Sequence, residues 1–426
     1  MIKVCDSIMG SGKTSAAINY INSHLDMRFI YITPYLSEAE RITNACPEAN
    51  FIEPSSGFSK NGFGKLKHTE QLIAQGANIA TTHTCFSFYT REMLQSIKEK
   101  GYTLLLDEVL SMFEKAPFVA KDLELLVNVG ILERKGDTYV VTEEGYHYDG
   151  TLFTKFLSYA SCRDIFKVKE ESDMLFYWTL PIRYLTSFED VIVMTYMFSG
   201  QSMSMYLDIN NVDYKYIGVE RDADGEYWFT EEMQDEPFIS DAEANVRDLI
   251  SIVDDKKLNG NFFGDKRQRT VGSMSWFNTH EDGVSQLKNN LYNYFKNRCK
   301  DVDKSEFMWG TYNCDKKKVK GDGYTKGFVP FNSRATNEFR NRTHLAYAAN
   351  PFMNVGEKMF LQRNGANPDE DAYALSVLLQ WIWRSAIRDG KPVELYLPIP
   401  RMRELLNDWL DNVERQSASE DGGDSE

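Results

Sequence analysis

One stretch, SIMGSGKTSAAINYI from Ser7 to Ile21, constrains the fold of this 426-residue chain more than any other. It follows an apolar, strand-like run at Ile2–Cys5 and leads into a helical pattern, so a strand, a glycine loop and a helix stand in series. Gly10 and Gly12 let the backbone turn tightly and aim successive amides inward, the geometry that cradles a polyphosphate at a helix N-terminus. In such a loop Lys13 reaches the β- and γ-phosphates and the Thr14 hydroxyl holds Mg²⁺. The strict pattern has glycine where Ser7 stands, and a small serine fits the same turn. The reading is a nucleoside triphosphate site, with ATP and Mg²⁺ as its ligands, built from Ser7, Gly10, Ser11, Gly12, Lys13 and Thr14. Such a loop belongs at the carboxyl end of a parallel α/β sheet.

The pattern up to about residue 215 agrees, because short apolar runs alternate with amphipathic segments. Strands are expected at Ile2–Cys5, Phe29–Thr33, Ile79–Thr82, Thr103–Leu106 and Val191–Thr195. The interval between the fourth and fifth is too long for one crossover, and DLELLVNVGILERKGDTYVVTEEGYHYDG reads as a helix and then a hairpin turning at Lys135-Gly136-Asp137. This implies an inserted helix-hairpin subdomain over roughly 115–178; it resembles a winged-helix unit, with a plain packing module as the alternative. The first domain thus spans 1–217, and an acidic linker 218–236. A second α/β domain over 237–415 has strands expected at Thr270–Trp276, Gly327–Phe331 and Val393–Leu397 and helices at Asp282–Lys300 and Tyr373–Arg388. The tail 416–426, rich in Ser, Gly and acid, is expected to be disordered.

Composition narrows the partners. The net charge of −15 repels nucleic acid as a whole, so phosphate contacts need local basic patches. Candidates are Lys60–Lys67 and the run Lys316, Lys317, Lys318 and Lys320 with Lys326 nearby, each of which also reads as a solvated loop. No apolar run approaches the roughly 18 residues of a membrane span, and the chain opens directly on its first strand. The expectation is a soluble cytoplasmic protein. The six cysteines have no paired spacing, which predicts reduced, mostly buried thiols rather than disulfides or a zinc site.

A second acidic feature completes the phosphate chemistry. LLLDEVLSMF sets Asp107 and Glu108 at the end of an apolar strand, where the first can hold the Mg²⁺ shell and the second can orient and deprotonate an attacking water. Near the C-terminus, Gln380, Arg384 and Arg388 are spaced i, i+4, i+8, so a continuous helix projects all three from one face. A guanidinium there can stabilise the charge that develops on a γ-phosphate. The adjacent Trp381 and Trp383 read as core anchors in preference to base-stacking platforms.

Together these motifs resemble the superfamily 2 helicases of the DEAD/DEAH-like kind, particularly phage-encoded ones, along nearly the whole chain. SIMGSGKT looks like motif I, YITPYLSEAERI like Ia, ATTHTCF like Ib, DEVL like II, MTYMFSGQ like III, FNSRATNEFRNR like V and LLQWIWRSAIR like VI. The resemblance implies two tandem RecA-like P-loop domains, with Lys13, Asp107, Glu108, Gln380, Arg384 and Arg388 catalytic and Thr14 and Asp107 on the metal. It also implies DNA as partner, held by Thr33, Thr82, His83, Thr84, Arg334, Thr336 and Asn337, and a role in phage replication or recombination. The family's second arginine stands one residue earlier than Arg388, which leaves open which arginine acts. No upstream adenine-reading glutamine motif fits before the first strand. The alternatives are a P-loop kinase or nucleotide switch without nucleic acid, and a DNA-binding module with weak ATPase activity.

Overall fold

The first unit is organised by a sheet of six parallel strands. In the computed structural model the described residues are 1–56, 64–116, 120–148, 153–170, 173–238, 243, 246–259, 269–332 and 338–420. Chain order runs β1 (Ile2–Asp6), β2 (Arg28–Thr33), β3 (Ile79–Thr82), β4 (Tyr102–Asp107), β5 (Phe113–Ala116), β6 (Leu132–Lys135), β7 (Thr138–Val141), β8 (Asp164–Glu170), β9 (Asp173–Thr179), β10 (Asp190–Thr195) and β11 (Tyr214–Ile217). The six-stranded sheet has the order β11-β1-β10-β4-β2-β3. Its strands carry the unbroken apolar runs expected of a sheet covered on both faces, and from Phe29 to Thr33 every residue of β2 is buried. Helices α1 (Lys13–Ser23) and α2 (Leu36–Ala45) cover one face through Ala17, Ile21, Ala39 and Ile42. All five strands expected in this half are present, each within a residue of its expected ends.

Between β4 and β10 the chain forms an antiparallel sheet of order β5-β9-β8-β7-β6, with the helix Ala120–Asn128 and the β6–β7 hairpin where the sequence expects them. It has its own core of Leu123, Leu126, Leu132, Tyr139, Ile165, Phe176 and Trp178. Arg163 pairs within it with Glu114 of β5 at 2.5 Å, and fastens it to the segment after β3 by donating to Ser87 Oγ at 2.8 Å.

The segment expected as a linker, 218–236, is instead a hairpin of β12 (Val219–Arg221) and β13 (Tyr227–Phe229). Asp222 shapes its turn by accepting from the amides of Asp224 and Glu226, and Val219 and Phe229 pack on the core beside α1. Unit 1 comprises Met1–Ser7, Gly12–Phe238 and Asn354–Pro368, and unit 2 comprises Ile8–Ser11, Ile239–Met353 and Asp369–Glu426.

Unit 2 holds a four-stranded parallel sheet of β14 (Ile250–Ile252), β15 (Phe307–Gly310), β16 (His344–Tyr347) and β17 (Val393–Tyr396), in the order β14-β17-β16-β15. Of the strands expected here only the last is present. Thr270–Trp276 is no strand: Gly272 turns at φ 76° and Ser273 caps a helix, Met274–Thr279, by accepting from Trp276 N at 3.3 Å. Gly327–Phe331 makes only an isolated bridge at Trp309–Phe328. The expected helix at Asp282–Lys300 runs over Glu281–Asn293 and widens into a π turn at Tyr294–Arg298. At the C-terminus the helix Pro400–Glu420 reaches into the 416–426 tail that the sequence expects to be disordered, and 421–426 lie outside the described residues. Among the described residues no helix is long and apolar enough to cross a membrane, and the six cysteines are free thiols, with Cys314 exposed.

The helix Val355–Arg363 lies between β16 and β17 in sequence but packs in unit 1. Asn354 caps it, Gly356 lets its backbone meet the Tyr177 ring, and Phe360 sits 4.7 Å from Phe166 and 4.9 Å from Phe113 between ring centroids. Arg363 closes the contact at Asp137, 3.3 Å away. Phe360→Ala is therefore expected to cost about 2 kcal/mol, below the range for a fully enclosed phenylalanine. Amide hydrogen exchange should speed up in β8 and β9 and stay unchanged in β15–β17.

Candidate functional site

Parallel strands bring their carboxyl ends to one edge, and there the chemistry-bearing residues of unit 1 collect. Register pairs Asp6 with Thr195 and Thr33 with Thr82, and sets Asp107 beside Met194. Because β10 lies between β1 and β4, the loop strand and the acidic strand stand two strand spacings apart, about 10 Å. That separation leaves room for a phosphate, a cation and a water between them.

After β1 the chain turns through Gly10 and Gly12, at φ 93° and 94°, and Gly12 caps α1 in the left-handed conformation that favours glycine. Ser7 N donates to Thr195 O at 3.1 Å, tying the loop's start to β10, and Lys13 Nζ donates to Ser7 O. Lys13 and Thr14 are half-buried at the first turn of α1. The Ser11 hydroxyl is buried with no hydrogen-bond partner among the described residues.

At the acidic strand, Thr33 Oγ1 donates to Asp107 Oδ2 at 3.2 Å, and His83 Nε2 lies 2.9 Å from Asp107 O. Burial pushes the Asp107 carboxyl up to about 7, with Glu108 and Glu38 adding to the rise and Thr33 and Lys13 opposing it. Glu108 has φ 64°, uncommon for a residue with a Cβ, and its amide donates to Met194 O at 2.9 Å. A half-buried carboxylate near two others is relieved by a divalent cation, and an unpartnered buried hydroxyl in a glycine loop is relieved by an anionic oxygen. The residues present therefore fit Mg²⁺ and a polyphosphate.

Several expected site residues sit elsewhere than the sequence suggests. Thr33, expected on a DNA path, is fully buried and committed to Asp107. Thr82 caps the next turn by accepting from Cys85 N, His83 braces the acidic strand, and Thr84 is exposed. Arg334, Thr336, Asn337 and Lys60 lie outside the described residues. Lys65 pairs with Glu53, while Lys318 is held by Asp315 at 2.8 Å and by Phe277 O at 3.0 Å. In unit 2 the one-face arrangement of Gln380, Arg384 and Arg388 is corrected: the helix runs Glu370–Ile382 and stops before both arginines. Arg384 N and Ser385 N bond three residues back, Ser385 is extended, and a 3₁₀ turn begins at Ala386. Arg384 is buried, Gln380 and Arg388 half-buried, and Trp381 is a core residue donating to Val329 O at 3.2 Å.

Sequence reasoning missed Asp6, Glu38 and Gln201. Asp6 ends β1 and its Oδ2 accepts from Phe198 N at 2.8 Å, while Gln201 Nε2 donates to Thr195 Oγ1 at 2.9 Å. The signal for Asp6 was its place directly before the glycine loop; nothing marked Glu38 among the charges of an amphipathic helix. Cys299, His344 and Glu394 bring ligand-type atoms within 4.8 Å of one another, but Glu394 is already held by both Nε and Nη2 of Arg298. That group is an ion pair beside a buried thiol.

Comparison with known proteins adds a family. Over 421 residues the chain is 33% identical to the SPβ prophage-derived uncharacterized protein YonV of Bacillus subtilis (strain 168), spanning 96% of this chain and 99% of that one. The chain belongs to the YonV family. The family's C-terminal Rossmann-like domain matches residues 244–410. In three dimensions the chain is similar at a TM-score of 0.48 and 10% identity to a structure named XPD_Helicase, over 98% of this chain and 95% of that one. It is similar at 0.46 and 12% identity to S. tokodaii Xpd4, over 96% and 93%. Likeness this slight assigns no activity to the chain.

The Asp107 environment has a measurable consequence for stability. The carboxyl is neutral in both folded and unfolded states below pH about 4. As pH rises towards the folded value of about 7, ionisation costs the folded state more than the unfolded one, so stability is lost over that window. Without nucleotide or metal, Asp107→Asn, which keeps an acceptor for Thr33, should be more stable than the parent by about 1–3 kcal/mol at pH 8. The two should match at pH 4 in urea denaturation.

Proposed function

We propose that this chain is an ATP hydrolase that couples turnover to movement along, or unwinding of, DNA, in the setting of phage replication or recombination. The observation that carries the reading is the acidic pair: Asp107 and Glu108 end the strand two spacings from the glycine-loop strand, on the same sheet edge. Loop amides and Lys13 would hold the β- and γ-phosphates, with Thr14 and Asp107 as the residues for Mg²⁺. When bound, that ion supplies positive charge against the phosphate oxygens. Glu108, aimed by its left-handed backbone, would orient a water and take its proton. Asp6 and Gln201 would link the loop strand to the 196–201 turn, a path by which nucleotide state reaches the rest of unit 1.

The remaining need, a guanidinium for charge on the γ-phosphate, is assigned to Arg384, with Arg388 and Gln380 in support. DNA contacts are assigned to Thr82, His83, Thr84, Arg334, Thr336 and Asn337. The phage setting is supported by kinship with a prophage-derived protein.

Hydrolysis measured without nucleic acid, then with single-stranded DNA, duplex DNA and RNA, tests the reading. Stimulation by DNA is expected, whereas a kinase or nucleotide switch gives a flat response. Lys13→Ala should abolish nucleotide binding or turnover, and Glu108→Gln should keep ATP bound but hydrolyse it slowly. Arg384→Ala should lower turnover by roughly 10³-fold with ATP affinity changed much less, and lysine should not restore it. Full DNA-stimulated turnover in Arg384→Ala would remove that residue from the mechanism.

A further inference from the structure

A polyphosphate cradle leaves open what receives the other end of the nucleotide. The β12–β13 hairpin answers from within unit 1. Its inner residue Phe229 is spent on anchoring, 6.1 Å from Tyr20 between ring centroids and against the core. Tyr227, two residues earlier and on the same face of the strand, meets no such apolar cluster. Its ring lies against the backbone of Gly12 so closely that a Cβ there would fall 2.2 Å from Tyr227 Cδ1. Gly12 is therefore required twice, by its left-handed φ and by the ring. The hairpin is also strapped to α1, because Asn19 Nδ2 donates to Tyr227 O at 3.0 Å.

On the hairpin's other strand Arg221, paired in register with Tyr227, is exposed and places its guanidinium carbon 5.6 Å from the ring centroid. Its Nε is fixed by Gly225 O at 2.9 Å. An arginine guanidinium over a half-exposed aromatic ring, fastened at the last glycine of a phosphate loop, offers a planar cationic surface on which a base can stack. Ser11, directly before Gly12 and about nine-tenths buried, has a hydroxyl with no partner among the described residues, which independently marks the loop as made for a ligand.

We infer that Tyr227 and Arg221 form the nucleobase platform of the triphosphate site, taking the base by stacking. The inference rests on the nucleotide reading of the glycine loop. Stacking grips a base by area, so purine nucleotides are held more tightly than pyrimidine ones.

Calorimetric titration of the full chain with Mg²⁺ and either ATP or inorganic tripolyphosphate separates this from the reading it rests on. Tyr227→Ala should weaken ATP binding about tenfold and leave tripolyphosphate binding within about twofold, since only ATP carries a base. Tyr227→Phe should bind ATP like the parent, and Lys13→Ala should weaken both ligands. Should Tyr227→Ala fail to fold, Arg221→Ala carries the test on an exposed residue, with ATP weakened severalfold and tripolyphosphate unchanged. Equal losses for ATP and tripolyphosphate, or no loss in either, would overturn the platform and leave Tyr227 as a brace for the loop. If the parent binds neither ligand, the nucleotide reading itself falls and the platform with it; binding of both ligands that Lys13→Ala weakens keeps that reading whatever Tyr227 does.

Discussion

The parallel pairing of β10 with β1 on one side and β4 on the other is the constraint on which the site in unit 1 depends. It levels Asp6, Thr195 and Asp107 along one edge, and its backbone bonds go on past the strand ends, with Ser7 N donating to Thr195 O and Glu108 N to Met194 O. The same strand thus sets where the glycine loop begins and where the acidic pair points. The antiparallel insert between β4 and β10 lengthens the connection without disturbing this register, because it carries its own core and is fastened at Arg163. Loop closure grows slowly with length, so such an insertion is tolerated cheaply once it folds on itself.

Much of unit 1 was legible because a parallel sheet covered on both faces leaves continuous apolar runs between glycine and polar punctuation, as at RFIYIT and YTLLLD. The positions of the glycine loop and of Asp107-Glu108 were legible because Gly10 and Gly12 punctuate the chain between a strand and a helix, and because the acidic pair closes an apolar run. Thr33 was misread because a hydroxyl at a strand end looks the same whether it faces a ligand or an acid; only tertiary pairing shows its bond to Asp107. The charge of Glu38 on α2 acts on Asp107 across the fold, and spacing along the chain carries no trace of that.

Unit 2 was harder for a different reason. Its strands are three or four residues long, too short to express a period, and FMWG and HLAY carry no alternation. The segment Thr270–Trp276, with Val271, Met274 and Trp276 spaced among small polar residues, mimicked a strand, yet Gly272 and Ser273 are turn and cap residues and won locally. The run LLQWIWRSAIRD is apolar enough to read as one helix through Arg388, but Ser385 turns extended and ends that regularity. Burial of Trp381, Ile382 and Trp383 in succession also shows why no single face existed to project the arginines: the whole circumference is core at that point.

Two residues with a Cβ adopt left-handed backbone at the edge that gathers the site, Glu108 directly after β4 and Met197 just after β10. Such conformations cost of order 1 kcal/mol or more and persist only where neighbours over-determine them. Both have such neighbours: Glu108 through its bond to Met194 O, and Met197 through the Asp6 carboxylate that accepts from the next amide. At these two positions the strain is held by bonds to the ends of β10 and β1. The other non-glycine residues with this backbone among the described residues, Asn50 and Asn211, are of the type that tolerates it in ordinary turns. A glutamate and a methionine held there against their preference, one strand apart, put a backbone cost at the edge where burial also raises the carboxyls of Asp6 and Asp107, so the same few positions carry both the conformational and the electrostatic cost.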